Sequence, residues 1–327
     1  MRLRPVRFHD DRPSPATLQE EVLHGLASRP KRIAPKFFYD ERGSRLFDAI
    51  CELPEYYITR TEMGILESCA REVARLAGAD GTLIELGSGA SKKIRLLLEA
   101  LRPRHYLGID ISREFLRESV QRLAHDYPWL EVHAACADFA QDFDLPDPAG
   151  SGRRLVFFPG STIGNFEPHE ALAFLQRVRR LVQPDGALLI GVDLKKDPEL
   201  LHAAYNDAQG ITAAFNLNLL ERLRAELGAE LDPKTFRHRA FYDAPHGRIE
   251  MHLVSRRAQD IRVLGRCFRF EPGESIHTEN SYKYSVAEFH ALARRAGLQP
   301  RQVWLDAAHL FSVHYLSVIT RSRPRVA

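Results

Sequence analysis

The chain has 327 residues, of which 44% are hydrophobic and 27% are charged, and its 46 Lys and Arg residues nearly balance its 43 Asp and Glu residues, for a formal net charge of +3. This composition predicts a soluble globular protein with a sizeable core. The near-neutral balance argues against a dedicated nucleic-acid binder.

The ends of the chain and its cysteines indicate the cellular compartment in which the protein works. The basic ends MRLRPVR and RSRPR lack interleaved aromatic residues, so we expect solvated tails. The N-terminus has no apolar signal core, and no apolar run is long enough to cross a bilayer. Cys51, Cys69, Cys136 and Cys267 lack CxxC or CxxH spacing and predict buried free thiols. We therefore predict a cytoplasmic protein without membrane contact.

The first 60 residues combine a predicted helix, SPATLQEEVLHGLAS, with an aromatic-rich passage, PKFFYDERGSRLFDAICELPEYYITRTE. This passage is unlike a linker, because its Phe and Tyr residues need burial or a ligand. A helical pattern then runs from residue 62 to about residue 77 and leads into an apolar strand that ends at Glu85.

Beyond this strand, apolar strands alternate with amphipathic helices. The predicted helices are KKIRLLLEALR, REFLRESVQRLAHDY and PHEALAFLQRVRRLV, and the predicted strands are HYLGIDIS, LEVHAACAD, RRLVFFPGS and ALLIGVDL. This alternation predicts a parallel sheet covered on both faces, which is a Rossmann-like, doubly wound α/β core.

The pattern changes after residue 195. A largely helical stretch is followed by one that alternates like antiparallel strands, and a helix and two strands then return. We therefore predict that residues 61–195 and 287–327 form the core. Residues 1–60 and 196–286 are predicted to form a mixed α+β domain, inserted into the core, that binds the substrate.

A glycine turn, LIELGSGASKK, follows the first strand of the predicted core. Gly87 and Gly89 tolerate positive φ and allow backbone N–H groups to approach a nucleotide closely. Lys92 stands where the dinucleotide-binding pattern G-x-G-x-x-G has its third glycine. This departure argues against a pyrophosphate at the helix N-terminus.

Acidic residues recur at the ends of successive strands. Asp110 ends the strand after the glycine turn, where a carboxylate can accept both ribose hydroxyls. Asp138, followed by Phe139, is placed to contact an adenine edge and face. Together with the glycine turn, these acids predict an S-adenosylmethionine pocket. The alternative is an ordinary α/β domain whose carboxylates cap helices.

In combination, five segments give the chain a resemblance to a known family. They are the aromatic passage, IELGSGASKK, FFPGSTIGNF, AYNDAQGITAAFNLN and IHTENSYKYS. The chain resembles the histidine-specific Nα-methyltransferases of ergothioneine biosynthesis from about residue 15 to residue 322. This resemblance implies S-adenosylmethionine as cofactor, S-adenosylhomocysteine as its product and L-histidine as substrate. Three successive methyl transfers would give Nα,Nα,Nα-trimethylhistidine.

The resemblance also implies which residues hold each ligand. The cofactor residues are Glu85, Gly87, Gly89, Lys93, Asp110, Asp138, Phe139 and Gly160. The histidine residues are Tyr56, Asn165, Tyr205, Met251, Glu279 and Ser281, and either Tyr39 or Phe47 is expected beside the growing quaternary cation. Asn165 and Tyr56 are the predicted catalytic residues.

The chemistry of these side chains suits a free amino acid. Tyr56 and Tyr205 can donate O–H groups to its carboxylate, and Asn165 can accept from its amine and direct the nitrogen lone pair towards the methyl group. Glu279 and Ser281 alternate on one strand and can pair with the imidazole nitrogens. In-line attack of the amine on the sulfonium methyl would then depend mainly on proximity and orientation.

Some alternatives remain open at this point. Tyr56 could be a packed aromatic residue, Asn165 a turn residue in the left-handed region, and Glu279 an exposed strand charge. The enzyme could act on another amine, such as a tryptophan-like one, although an indole would leave Glu279 or Ser281 unpaired. The chain could also be a non-catalytic binding protein.

Three expected absences complete the sequence-based interpretation. The 14 histidines lack HxxxH and HxH spacing, so we predict no metal site. We also expect no nucleic-acid partner. The protein is expected to act as a monomer.

Overall fold

The computed structural model describes residues 6–10, 15–78, 80–89, 92–141 and 152–318. The two basic ends therefore lie almost wholly outside the described residues. The strands are β1 (Arg7–Asp10), β2 (Lys31–Arg32), β3 (Thr82–Leu86), β4 (His105–Asp110), β5 (Glu131–Cys136), β6 (Arg154–Phe158), β7 (Ala187–Asp193), β8 (Phe236–Asp243), β9 (Arg248–Ser255), β10 (Gln259–Val263), β11 (Arg266–Phe270), β12 (Ser275–Tyr282), β13 (Leu298–Leu305) and β14 (Phe311–Val318).

The helices follow the apolar periodicity seen in the sequence. They are α1 (Pro15–Ala27), α2 (Glu41–Cys51), α3 (Tyr57–Ala77), α4 (Ile94–Leu101), α5 (Arg113–Asp126), α6 (Pro168–Leu181), α7 (Pro198–Tyr205), α8 (Ile211–Leu227) and α9 (Val286–Arg295). Helix α3 begins five residues earlier than predicted, because Tyr57 and Ile58 continue its buried face.

The larger sheet has eight strands in the order β1-β5-β4-β3-β6-β7-β14-β13. The first six strands in this order run parallel to one another. Strand β14 runs antiparallel to both β7 and β13. Together with the intervening helices, this order confirms the predicted Rossmann-like α/β fold. The chain leaves β3 towards β4 and β5 and then returns to β6 on the other side of β3. Such a reversal opens a crevice at the carboxyl ends of the strands.

Burial on both faces of the sheet explains why its strands are so apolar. All five residues of β3 and all seven of β7 are buried. Neighbouring residues of one strand point to opposite faces, so Leu83 packs in one hydrophobic cluster and Ile84 in another. The sheet is therefore covered by helices on both sides, as a parallel sheet requires.

The smaller sheet has the order β2-β12-β9-β8, and β10 and β11 form a separate antiparallel hairpin. Helix α8 packs against α2 and against β8. The predicted succession of helices and antiparallel strands after residue 195 is thus present. The division into two domains stays a prediction, and β1, which lies within the first 60 residues, pairs with β5 of the larger sheet.

The structure corrects the prediction for one cysteine. Cys69 and Cys136 are buried and Cys51 is half-buried, but Cys267 is exposed. Strand β11 alternates, so Phe268 and Phe270 point inwards while Cys267 points to solvent. All four are free thiols. Among the described helices, none has the length and hydropathy that a bilayer span requires.

Candidate functional site

A large cavity of about 230 Å³ lies where β3, β4, β5 and β6 end. Its walls come from the loops after these four strands and from residues 35–59 of the N-terminal segment. The residues predicted to bind the cofactor all line this cavity: Glu85, Gly87, Gly89, Lys93, Asp110, Asp138, Phe139 and Gly160. The cavity lies at the strand ends because the strand order reverses there, between β3 and β6, which opens a crevice at the carboxyl edge of the sheet.

The glycine turn and Asp110 form one rigid unit. Gly87 and Gly89 have positive φ values of 72° and 45°. The Gly89 N–H donates to Asp110 Oδ2 at 3.0 Å, and the Ser112 N–H donates to Oδ1 at 2.9 Å. Burial raises the pKa of Asp110 above its usual range, although these backbone donors partly oppose the shift. Each carboxylate oxygen keeps a lone pair with which to accept a ligand hydroxyl.

Glu85, at the end of β3, is buried and accepts a hydrogen bond from Tyr106 Oη at 2.6 Å. Burial raises its pKa to about 8, even though Tyr106 and the nearby Lys93 favour the ionised form. At neutral pH it is therefore mostly a neutral carboxyl group. A cation bound beside it would favour the carboxylate.

Asp138 connects the end of β5 to the N-terminal segment. Its Oδ1 accepts from the Ala140 N–H at 2.9 Å, and its Oδ2 accepts from Lys36 Nζ at 3.0 Å. Lys36 also donates to Glu21 on α1 at 2.7 Å. The adjacent Phe139 ring packs edge-on against Phe158 at 5.5 Å. The N-terminal segment is thus tied to the predicted adenine end of the cavity.

A smaller cavity, of about 50 Å³, adjoins the first. The residues predicted to bind or surround histidine all line it: Tyr39, Phe47, Tyr56, Asn165, Tyr205, Met251, Glu279 and Ser281. They come from the N-terminal segment, the loop after β6, α7, β9 and β12. The structure therefore brings together residues that lie more than 200 positions apart in the sequence.

The two cavities share part of their lining. Six residues line both: Tyr39, Phe47, Tyr56, Gly160, Thr162 and Asn165. Both predicted catalytic residues, Tyr56 and Asn165, are in this group. A molecule in the small cavity would therefore meet one in the large cavity at these side chains.

Asn165 ends a short 3₁₀ turn, Thr162–Asn165, that packs against β12. Gly164 permits this approach, because a Cβ at that position would lie 2.7 Å from the Tyr282 carbonyl oxygen. Within the turn region it is Ser161, with φ of 58°, that adopts the left-handed conformation, rather than Asn165. The alternative that Asn165 serves only as a left-handed turn residue is therefore wrong.

Aromatic rings surround the junction of the cavities. The Tyr39 ring lies 5.6 Å from Phe47 and 5.8 Å from Phe215, and Phe47 lies 6.3 Å from Tyr56. Burial raises the pKa of Tyr39 and that of Tyr56 well above the usual value, so both remain neutral hydroxyl donors. These rings pack edge-on against one another, and those of Tyr39, Phe47 and Tyr56 line both cavities.

Glu279 and Ser281 lie on one face of β12, with Glu279 opposite Met251 on β9. Glu279 is half-buried and lines the small cavity, so it is not an exposed strand charge. Burial raises its pKa to about 7, and the Lys283 cation opposes the shift. Ser281 Oγ accepts from Tyr205 Oη at 2.8 Å and from Lys283 Nζ at 2.8 Å.

Sequence reasoning missed four residues of this region. Lys283 could have been found, because it continues the i, i+2 spacing of Glu279 and Ser281 one residue beyond the end of β12. Glu62 also left a signal, since it is a charge on the apolar face of α3 and is fully buried. Lys36 and Phe215 gave no signal in the sequence, because their contacts depend on distant parts of the chain.

The absence of a metal site stays a prediction. Among the described residues, the fold gathers two groups of potential ligands from neighbouring strands, Glu250 with His252 and His277, and Glu131 with His105 and His133. Short His spacing in the sequence cannot reveal such cross-strand groups.

Comparison with known proteins gives a consistent picture. The sequence matches a family described as histidine-specific methyltransferase, SAM-dependent, over residues 18–318. It is 42% identical over 302 residues to the histidine N-alpha-methyltransferase of Mycolicibacterium smegmatis, covering 90% of this chain and 93% of that one. The Mycobacterium tuberculosis protein of the same name is 40% identical, with the same coverage. Ergothioneine biosynthesis protein 1 of Neurospora crassa is 32% identical over 84% of this chain and 32% of that protein.

Proposed function

The chain belongs to the family of histidine-specific, S-adenosylmethionine-dependent methyltransferases, and we propose on that basis that it methylates the α-amino nitrogen of L-histidine. Three successive transfers give Nα,Nα,Nα-trimethylhistidine, which is hercynine, and each releases S-adenosylhomocysteine. Because ergothioneine biosynthesis protein 1 is among its relatives, we assign the reaction to the first step of ergothioneine biosynthesis.

One observation carries this proposal. A large cavity with a glycine turn and strand-end acids opens directly into a small cavity with an acid, a hydroxyl and aromatic rings. Tyr56 and Asn165 stand in both. Methyl transfer needs two ligands held with their reacting atoms about 3 to 3.5 Å apart, and two joined cavities permit that approach.

The residues of the large cavity fit S-adenosylmethionine. Asp110 offers two anchored oxygens for the ribose hydroxyls, Asp138 and Phe139 offer an edge and a face for adenine, and the positive-φ glycines leave room for the rest. When bound, the cofactor supplies a methyl group activated by a sulfonium. Lys36 and the N-terminal segment would cover it and exclude water.

In the small cavity, this chain supplies contacts for every part of histidine. We assign the imidazole to Glu279 and Ser281 and the carboxylate to Tyr56, while Tyr205 lies behind Ser281 and donates its hydroxyl to it. The Asn165 amide would accept from the amine and orient its lone pair towards the large cavity. The rings of Tyr39, Phe47 and Phe215 would stabilise the positive charge that grows on the nitrogen.

We also propose that the protein acts as a monomer in the cytoplasm. Every predicted site residue comes from a single chain, and the four cysteines are free thiols, as expected in a reducing compartment. Sedimentation of the purified protein with both ligands present would test the monomer, and a stable dimer would contradict it.

The decisive experiment is mass spectrometry of the products formed from L-histidine and S-adenosylmethionine. We expect the mass gain of three methylations, with S-adenosylhomocysteine formed in a 3:1 ratio to hercynine. A parallel assay with tryptophan tests the alternative that the enzyme methylates a different amino acid. Preferential methylation of tryptophan would overturn the histidine assignment. Binding of S-adenosylhomocysteine without turnover of any amino acid would indicate the non-catalytic alternative.

A further inference from the structure

A buried lysine lies directly behind the proposed imidazole contact. Lys283 comes directly after the last residue of β12, two positions beyond Ser281, and is almost completely buried. Its Nζ lies 2.7 Å from Asp193 Oδ2, 2.8 Å from Ser281 Oγ and 3.3 Å from Tyr205 Oη. An ammonium group has three donors and no acceptor. All three donors are therefore engaged, and both hydroxyl oxygens accept from Lys283.

Asp193 holds this lysine in its charged form. The Asp193 carboxylate also accepts from Tyr57 Oη at 2.9 Å and from Lys196 Nζ at 2.5 Å. Burial alone would lower the pKa of Lys283, but the adjacent carboxylate raises it above the usual value. A neutral lysine could accept a proton from Ser281, whereas the ammonium cannot.

The consequence falls on the Ser281 hydroxyl. A hydroxyl has two lone pairs and one proton. Ser281 Oγ accepts one hydrogen bond from Lys283 and a second from Tyr205 Oη, so both lone pairs are engaged. Its own proton then remains for the small cavity that Ser281 lines.

We propose that Lys283 and Tyr205 are positioning residues that make Ser281 a hydrogen-bond donor to the substrate ring. The pocket then takes a ring with an acceptor nitrogen opposite Ser281 and an N–H opposite Glu279, which is neutral imidazole. An imidazolium ring would present a second N–H to a hydroxyl without a free lone pair, with a buried cation behind it. This inference rests on the proposed function, because it specifies the form in which histidine binds.

The opposite direction of the same hydrogen bonds makes a different prediction. If Ser281 donated to Tyr205 and Tyr205 donated to the substrate carboxylate, Ser281 would present a lone pair to the ring. A ring acceptor nitrogen would then gain nothing from Ser281. The two directions can be separated by ligands that differ only in their ring atoms.

The test uses three amino acids: β-(thiazol-4-yl)alanine, β-(thiazol-5-yl)alanine and β-(2-thienyl)alanine. The two thiazoles place an acceptor nitrogen at either imidazole nitrogen position, and thiophene has no nitrogen. Dissociation constants are measured by calorimetry with S-adenosylhomocysteine at pH 8, where Glu279 is mostly ionised and cannot donate. We expect one thiazole to bind about 5-fold to 20-fold more tightly than thiophene.

Variants assign this preference to its source. Ser281→Ala should abolish the preference, and Lys283→Met should reduce it, because Ser281 can then donate to the Tyr205 oxygen that Lys283 leaves. The double variant Ser281→Ala/Lys283→Met should show the same ligand preference as Ser281→Ala alone, because the lysine acts only through Ser281. A merely structural role of Lys283 would weaken binding of all three ligands equally. Lys283→Met leaves Asp193 paired with Lys196, so we expect it to fold.

Each outcome has one meaning. Equal affinity of the wild type for all three ligands overturns the donor role of Ser281, whether or not Lys283→Met folds. A preference that survives Ser281→Ala also overturns it. These results leave the proposed function intact if the wild type methylates histidine. Failure to methylate histidine would overturn the proposed function instead, and the calorimetric comparison does not depend on turnover.

Discussion

The Nζ atom of Lys93 lies 2.6 Å from a carboxylate oxygen of Glu62, whose side chain is completely buried. The same carboxylate accepts from the Gly160 backbone N–H at 2.9 Å. One glutamate of α3 therefore joins two residues of the predicted cofactor cavity, one from the loop after β3 and one from the loop after β6. Glu62 itself does not line the cavity, so we regard it as a positioning residue.

Glu62→Gln should weaken cofactor binding through Lys93 and Gly160. The amide keeps one oxygen acceptor but loses the ion pair, so we expect the dissociation constant for S-adenosylhomocysteine to rise about 10-fold. Calorimetric titration measures this change. Glu67→Gln, an exposed position on the same helix, is the matched control. Wild-type affinity in a folded Glu62→Gln protein would contradict the positioning role.

Asp110→Ala should weaken cofactor binding while the protein stays folded. The side chain is the proposed acceptor of both ribose hydroxyls, and its loss also frees the glycine turn. Titration with S-adenosylhomocysteine measures the affinity, and circular dichroism checks the fold. Glu118→Ala on the exposed face of α5 provides the control. An unchanged affinity would remove Asp110 from the pocket.

Asn165→Ala should lower the rate constant at saturating histidine more than it changes the apparent histidine affinity. The reason is that Asn165 lies where the cavities meet and is assigned to orient the amine. Steady-state kinetics separate kcat from KM. If only KM rises, Asn165 binds histidine without orienting it.

Glu279→Ala should change the preference between amino acids. Removal of the carboxylate leaves an imidazole N–H unpaired, which we expect to lower the histidine specificity constant about 5-fold to 150-fold. Tryptophan should lose much less, or gain. Asn280→Ala is the control, because Asn280 points to the opposite face of β12 and contacts Glu167. Equal losses for both substrates would mean that Glu279 supports the fold or the cofactor.

Glu279 should also make the stability of the ligand-free protein depend on pH. Its pKa of about 7 exceeds the ordinary value of 4.5, so the folded state binds more protons than the unfolded state between these values. Stability therefore falls as the pH rises from about 4.5 to 7 and stays lowered above 7. Glu279→Gln removes this cost.

We expect Glu279→Gln to exceed the wild type in unfolding free energy by about 1 to 3 kcal/mol at pH 8, a range that allows for partial solvation of the empty cavity. The difference should shrink as the pH falls towards 4.5. Urea unfolding at several pH values measures it. A difference that is constant with pH would show that Glu279 has an ordinary pKa.

The sequence predicted the core well because its signals are local. Apolar strands alternate with amphipathic helices, and Asp110 is the last residue of β4, as the pattern predicts. The residues of the small cavity came from the resemblance, because no periodicity connects Tyr56 with Ser281. Phe215 and Lys36 could not be found, since each owes its place to tertiary contacts. Cys267 was misjudged because a hairpin with one exposed face resembles a buried strand in composition.

Strand β2 exists only through a partner at the other end of the chain, since Lys31 pairs with Ile276 and Arg32 with His277. During synthesis the chain grows by about 5 to 20 residues per second, so this partner appears roughly 10 to 50 s after β2. Throughout that interval the aromatic residues Tyr39, Phe47 and Tyr56 lack the enclosure that α8 and β12 later supply. The nascent chain therefore completes its methyl-transfer site only once β12 has been made, and until then its aromatic N-terminal segment is the part that a ribosome-associated chaperone would have most reason to bind.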